Sequence, residues 1–553
     1  DKARELLTSE GETFELVMSD EFESEGRTFR DGEDPRWTAL DKDDYTNAAL
    51  QYYKEDLART SNGSMKLTTR LKETYYRAMD KNNNWTTEKK LYQSAMVQGW
   101  NKFCFSGGAV EVSAQLPGNA DTSGLWPALW LLGNLARATY VSSSDYMWPW
   151  SYDSCPHKTP EVAVQQELSH CRATPHYGLH AHQGRGAPEI DILEAMPGNE
   201  ALLRTPINKP YLSSSLQVSP GLPEPRPVLG HPPQNGSWYE GMHYAENSSV
   251  NIFFYGVKLE HKPTEYSYQA DAISANTNIN ETLFNAMHTY RVEWEPPTSH
   301  DKGHIHWFID GKKIFGIDGE NLDISGATIP SEPMYLLMNT AISHTWGFPA
   351  PPPPGCKPCY DCRDVKCACA MPVGMCENLP AEFSIDWIRV YQRPGTMGEN
   401  VTEVQSESED ANGRARHTLG CSTATHPTRR FIEAHVDRYI DKQSTKTQPL
   451  LPIERGGGAC SADGDCGKGS CTGPPQNGAG GSCECEDGFT GPACLAHDGF
   501  DDFVVPDDEI HLRPKALYMP QPLSLFAATV GVVSLGTLFY GVRSRRAGYS
   551  SLA

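Results

Sequence analysis

Basic residues are scarce in this sequence: 48 Lys and Arg stand against 70 Asp and Glu, a formal charge of −22 and a pI near 5.3. A phosphate-binding surface needs clustered Lys and Arg, so nucleic acid is excluded as a partner and a neutral polymer fits better. Sustained helical periodicity is also lacking from residue 14 to about 392, which excludes a helical bundle. Short segments in which β-branched and aromatic residues alternate with polar ones recur instead, at 14–19, 109–115, 251–259, 304–309 and 383–391. They predict an all-β sandwich or barrel, with Pro- and Cys-rich loops inserted at 140–188 and 349–380.

Cysteine is plentiful. Sixteen cysteines, Asn-X-Ser/Thr acceptors at Asn62, Asn84, Asn235, Asn247, Asn280 and Asn400, and one hydrophobic anchor point to an oxidising lumenal or extracellular compartment. The anchor is residues 523–542, twenty without a charge, long enough for a helix to span about 30 Å of hydrocarbon. Arg543, Arg545 and Arg546 follow at once, which predicts a single-pass type I protein of the secretory pathway, in Golgi or plasma membrane, with residues 543–553 cytoplasmic. A buried core helix is the alternative, but an eleven-residue tail leaves nothing for it to be the core of. Tyr549-Ser-Ser-Leu552 has the form of a tyrosine-based sorting signal. The chain begins at Asp1 without Met, so a leader or anchor ahead of it is expected to have been removed.

Chemistry concentrates in Glu189-Ile-Asp-Ile-Leu-Glu194. On a regular strand Glu189 and Asp191 face one way, about 6.6 Å apart, and Glu194 faces the other. One extra residue in a β-bulge between Asp191 and Glu194 would turn all three acids into one cleft. Neighbouring carboxylates raise one another's pKa and cost stability, which marks a functional site. Retaining glycosidases use two carboxyls about 5–5.5 Å apart, one ionised and one protonated. Glu189 is accordingly assigned as nucleophile, Glu194 as general acid then base, and Asp191 as the nucleophile's hydrogen-bonding partner. A solvated acidic face and a calcium site are the competing readings; calcium would need more oxygen ligands than this strand supplies.

The six-residue run resembles the signature of glycoside hydrolase family 16 in its bulged, laminarinase-like form. In that family's order follow Gly107-Gly-Ala-Val-Glu-Val, Gly124-Leu-Trp-Pro-Ala-Leu-Trp130, Tyr290-Arg-Val-Glu-Trp294, His306-Trp-Phe-Ile-Asp-Gly311, Pro333-Met-Tyr-Leu-Leu-Met-Asn339 and Asp386-Trp-Ile-Arg-Val-Tyr391. A narrower likeness, to the fungal (killer-toxin-resistance) proteins required for β-1,6-glucan synthesis, rests on further runs. These are Ser19-Asp-Glu-Phe22, Arg27-Thr-Phe-Arg30, Gly99-Trp-Asn-Lys-Phe-Cys-Phe105, Trp148-Pro-Trp-Ser-Tyr-Asp-Ser-Cys155, Gly184-Arg-Gly-Ala-Pro188 and the tail from Cys421 to Tyr439. The resemblance implies a concanavalin-like β-jelly-roll over residues 12–395 with β-glucan in a concave cleft, and no required cofactor.

It also places Trp126 and Trp130 as cleft aromatics on which a sugar's C–H face can stack, one of them expected to be core packing instead. Trp148 and Trp150 are expected to extend the cleft, and Asn339 to contact substrate. Trp294 and Trp387 are read as packing. The family further implies a structural calcium, with Asp386 as its candidate ligand. Wall or storage glucan assembly by hydrolysis or transglycosylation is the leading function; a plain endo-β-1,3-glucanase and a non-catalytic glucan receptor are the alternatives.

Residues 396–455 read as a packed tail grading into a linker, with a short helix at 428–439. Six half-cystines within 456–498 then resemble an EGF-like module, whose family connectivity implies Cys460 with Cys471, Cys466 with Cys483 and Cys485 with Cys494. It is read as a spacer or protein-docking unit, followed by an acidic juxtamembrane stretch at 499–522. The loop of Cys356, Cys359, Cys362, Cys367, Cys369 and Cys376 has spacings that suit zinc, but an oxidising compartment favours three disulfides.

Overall fold

A computed structural model describes residues 4–79, 84–150, 183–219, 221, 226–235, 237–261, 266–348, 352–394, 409–410, 412–423, 425–441, 448–453, 455–473, 481–494 and 496–497. The expected juxtamembrane stretch, membrane span, cytoplasmic tail and sorting motif lie outside these residues. Among the described residues no helix is long and apolar enough to cross a membrane.

Alternation of apolar and polar side chains makes the strands and selects the buried face. In His288–Glu295, for example, Tyr290, Val292 and Trp294 turn inward while Arg291 and Glu293 lie on the other face. Thirteen main strands carry the fold, β1 Thr13–Asp20, β2 Ser64–Met79, β3 Trp85–Ser94, β4 Gly108–Gln115, β5 Trp126–Gly133, β6 Glu189–Met196 and β7 Tyr211–Val218. They continue as β8 Tyr266–Asn278, β9 His288–Glu295, β10 His304–Ile309, β11 Lys312–Asp318, β12 Met334–Ala341 and β13 Ala381–Gln392. One antiparallel sheet runs β11-β10-β9-β4-β13-β2-β3, with β1 beside β13; the other runs β8-β7-β6-β5-β12. Val110, Val112, Val292, Ile305, Trp307 and Ile388 of the first meet Leu129, Leu131, Ile190, Leu212, Leu216, Leu336 and Met338 of the second in one core. Burying each such side chain contributes roughly 1.5–3 kcal/mol. This is the all-β sandwich the sequence predicts.

Two local expectations change. The segment 251–259 is strand only from Val257, within Val257–His261. Ahead of it Asn251 Oδ1 accepts from Phe253 N at 3.1 Å, an Asx turn, and Gly256 holds φ +96°, both of which break a ladder. The helix at 428–439 is a short α-helix, Arg429–Ala434, and a 3-10 turn, Val436–Arg438, parted at His435, whose φ and ψ are −126° and 36°.

The tail is part of the core. Cys421 is disulfide-bonded to Cys104, 317 residues away, and Tyr439 is fully buried, stacked on Trp100 at 5.2 Å. Tyr439 donates to Leu135 O at 2.7 Å, and Arg137 donates back to Tyr439 O at 2.7 Å. Beside β6, the buried Arg185 guanidinium pairs with Glu332 and donates to Pro427 O and, at 3.0 Å, to Thr428 Oγ1.

The cysteine loop closes as Cys356–Cys369, Cys359–Cys367 and Cys362–Cys376, which removes its thiolates as zinc ligands. The last unit is joined as Cys460–Cys471, Cys466–Cys483 and Cys485–Cys494 around a small core of cysteine sulfur.

Removing one partner of a buried ion pair strands the other charge. Arg185→Ala is therefore expected to lower unfolding free energy by about 3–5 kcal/mol in urea titration, and Arg185→Met with Glu332→Met together to recover most of it. A loss no larger than that of a surface variant would show that the pair does not hold the tail.

Candidate active site

β6 lies between β5 and β7, and its register slips between Asp191 and Glu194. Opposite Glu189, Asp191 and Glu194 on β5 stand Leu132, Trp130 and Ala128, all even-numbered and all on one face. Ile192 is the extra residue. Its carbonyl accepts from Ser214 Oγ at 3.1 Å, and the Asp191 carbonyl accepts from Trp307 Nε1, reaching across the core from β10, at 2.9 Å. The bulge thus leaves neither carbonyl unpaired.

The three acids open into a cleft of about 320 Å³, floored by Trp126, Ala128, Trp130 and Leu132 and walled by Trp148, Phe254 and Trp346. Trp148 Nε1 donates to Glu189 Oε2 at 2.7 Å and Trp126 Nε1 to Glu194 Oε1 at 3.1 Å. Gln217 Nε2 donates to Asp191 Oδ2 at 3.3 Å. Asp191 is buried, whereas both glutamates keep a cleft-facing surface.

Burial, foremost, pushes all three carboxyls up. Glu189 is raised well above the usual range, with the charges of Asp191 and Glu194 adding to burial and the Trp148 N–H opposing. Asp191 rises to about 7, its hydrogen bonds with Gln217 and Glu189 opposing. Glu194 is raised well above its usual range by burial and then by Asp191, against the Trp126 N–H. Glu189 and Asp191 also hydrogen-bond each other, which holds Asp191 down and Glu189 up. A carboxyl raised in the direction of Glu194 suits a proton donor.

Of the expected substrate contacts, Trp126, Trp130, Trp148 and Asn339 line this cleft. Trp130 Nε1 donates to Asn339 Oδ1 at 2.8 Å, and Asn339 Nδ2 donates to Tyr53 Oη at 3.3 Å. Trp126 and Trp130 are both half-buried and both in the cleft, so the expectation that one is core fails. On a strand, residues four apart share a face. Trp150 is a second correction: at 1% exposure it is core, not cleft. A Cβ on Gly186 would come within 2.2 Å of the Trp150 Cβ, so only glycine allows this packing. Trp294 is buried as expected, donating to Pro330 O at 2.7 Å, and Trp387 is half-buried with the Arg389 guanidinium 4.0 Å over its ring. Asp386, the calcium candidate, is half-buried and accepts from Ser113 Oγ at 3.3 Å. Among the described residues it joins no group of three His, Cys, Asp or Glu side chains.

Sequence reasoning missed Gln217, Tyr53 and Trp346. Trp346 stacks on Trp126, centroids 5.0 Å apart at 15°, and extends the aromatic floor. Its only signal is an aromatic in the turn beyond the Asn339 strand. Gln217 and Tyr53 reach the site through cross-strand register, which no local pattern shows.

A carboxyl whose folded pKa is raised contributes stability that is fully present below its unfolded value and lost as pH rises through its folded value. For Asp191 that window runs from 3.8 to about 7. Asp191→Asn is therefore expected to be more stable than the parent at about pH 8, the gap narrowing on acidification and closing near pH 4, as read by thermal unfolding across pH. A gap that does not change with pH would show that Asp191 is not held above its ordinary range.

A family model described as Beta-glucan synthesis-associated protein SKN1/KRE6/Sbg1 matches residues 1–351. Beta-glucan synthesis-associated protein KRE6 of Saccharomyces cerevisiae is 28% identical over 463 residues, 80% of this chain and 52% of that protein. Beta-glucan synthesis-associated protein SKN1 of Candida albicans is 28% identical over 457 residues, 79% of this chain and 50% of that protein. The chain spans about half the length of the curated relatives it matches. Among solved structures, the laminarinase catalytic domain of Thermotoga petrophila aligns at 18% identity over 69% of this chain and 99% of that one, with a TM-score of 0.36. The endo-beta-1,3-glucanase of Pyrococcus furiosus aligns at 17% over 70% and 98%, with a TM-score of 0.37. With more than half of its length matched by that family model, the chain belongs to the SKN1/KRE6/Sbg1 family of beta-glucan synthesis-associated proteins.

Proposed function

We propose that this chain is a membrane-anchored retaining glycosidase or transglycosidase that builds or remodels β-glucan. The observation that carries this reading is the bulged strand that turns Glu189, Asp191 and Glu194 into one aromatic cleft, with an indole N–H on each glutamate. The names of its relatives supply the substrate class.

In the first step the Glu189 carboxylate attacks the anomeric carbon. The bond to the departing sugar oxygen breaks, and Glu194 gives that oxygen its proton. Attack requires Glu189 to be ionised, with Asp191 as its hydrogen-bonding partner, and the Trp148 N–H steadies the charge on Glu189. In the second step the Glu194 carboxylate takes a proton from an acceptor hydroxyl, whose oxygen displaces Glu189 from the anomeric carbon. Water as acceptor gives hydrolysis and a sugar hydroxyl gives transfer; the carboxylates serve both. Trp126, Trp130 and Trp346 offer an apolar platform for sugar C–H faces without selecting charge. Residues 523–542 would hold this site on the lumenal or outer side of a secretory membrane, and the disulfide unit at 456–498 would act as an EGF-like spacer or docking module.

The test incubates the full chain in detergent with end-labelled laminari-oligosaccharides and resolves products by size and linkage. Longer or newly linked products are expected from transfer, and shorter ones alone would make the protein a hydrolase. Glu194→Gln is expected to slow turnover by about 10²–10⁴-fold and Glu189→Gln to abolish it. A parent that turns over no donor, and binds glucan as well as Glu189→Gln does, would make the chain a receptor rather than an enzyme.

A further inference from the structure

The sheet face turned away from the cleft carries a cluster that glucan chemistry does not use. β10 sends Ile305 and Trp307 into the core and therefore puts His304 and His306, two residues apart, together on the outside. Their rings stack with centroids 4.3 Å apart at 24°. A hairpin formed by Glu5–Leu7 and β1 lays its tip on the same spot. Ser9 N and Oγ donate to Glu293 Oε2 at 2.9 and 2.5 Å, and Ser9 Oγ lies 3.1 Å from His306 Nδ1. Glu10 Oε1 lies 3.7 Å from that same nitrogen. One ligating atom from each of Glu10, His304 and His306 falls within 4.8 Å of the others. Glu10 and His304 also line a cavity of about 460 Å³, distinct from the cleft, that Glu12, Glu293 and Glu295 share with Arg393.

We propose that Glu10, His304 and His306 form a binding site for a divalent transition ion of the zinc class. Two imidazoles and one carboxylate, with water completing a tetrahedron, suit zinc, and they disfavour calcium or magnesium, which take oxygen ligands. Ligands at zinc's bond length of about 2.0–2.1 Å stand about 3.3 Å apart, so the gaps between the three ligating atoms must close by at most about 1.5 Å. Glu10, exposed on a turn tip, can make that movement while the strand holds the histidines in place. Charges of both signs surround the cluster: Glu10, Glu293 and Asp318, whose Oδ1 is 3.9 Å from His306 Nε2, face Lys313, Arg291 and His243. Two other triads of ligating atoms among the described residues depend on Cys460, Cys466 and Cys483 or on Cys359 and Cys367, all committed to disulfides. The bound ion pins the hairpin tip at residues 8–12 to the outer sheet.

The test is calorimetric titration of Zn²⁺ into the full chain, made without a histidine tag and stripped with chelator, alongside Glu10→Gln and His304→Asn. Glu10 is exposed, so its variant keeps the fold, and thermal unfolding checks both. The parent is expected to bind Zn²⁺ with micromolar or tighter affinity, and each variant to lose about tenfold or more. Absence of binding in the parent overturns the proposal. Binding that both folded variants retain unchanged overturns it too, and assigns the ion to other residues, such as the histidines within 151–182.

Discussion

Ile192 is accommodated as one residue too many between Asp191 and Glu194, and the cleft depends on that irregularity. A regular strand would send Glu194 into the core, where an unpaired carboxyl costs several kcal/mol. The fold holds the bulge from both sides: Trp307 comes through the core to the Asp191 carbonyl, and Ser214 comes from β7 to the Ile192 carbonyl. Both donors sit on strands paired along most of their length, so the distortion is confined to one position of the sheet. Through that indole the outer sheet is tied directly to the bulge.

Around the bulge, aromatic side chains perform two tasks that usually fall to different residues. The rings of Trp126 and Trp346 make a flat apolar surface, while the Trp126 and Trp148 N–H groups point at the glutamates. A neutral donor steadies a carboxylate without adding the fixed positive charge that would force both glutamates to ionise. The acids can therefore stay at unequal protonation, which two-carboxylate chemistry needs.

How much was legible follows from range. The sandwich, the bulge and the four cleft residues Trp126, Trp130, Trp148 and Asn339 could be read because alternation and motif are local signals. Trp150 misled because its place is set by the missing side chain of Gly186, a contact 36 positions away. Trp126 and Trp130, one of which is expected in the core, both face the cleft because residues four apart on a strand point the same way. Gln217 and Tyr53 arrive by register across the sheet. The strand expected at 251–259 shows a turn overriding composition: Asn251 satisfies a backbone N–H with its own side chain before a ladder can.

Arg185 stands four positions before Glu189, yet its partners Pro427 and Thr428 come 242 and 243 residues after it. A ribosome working at about 5–20 residues per second delivers them on the order of 10–50 s later. Within that interval β6 can pair with its neighbours and Glu332, 147 residues on, can meet the guanidinium, but the two acceptors from the tail are still missing. The cleft's own lining ends at Trp346, so a nascent chain can close its acid cluster before the tail that braces the neighbouring arginine has been made.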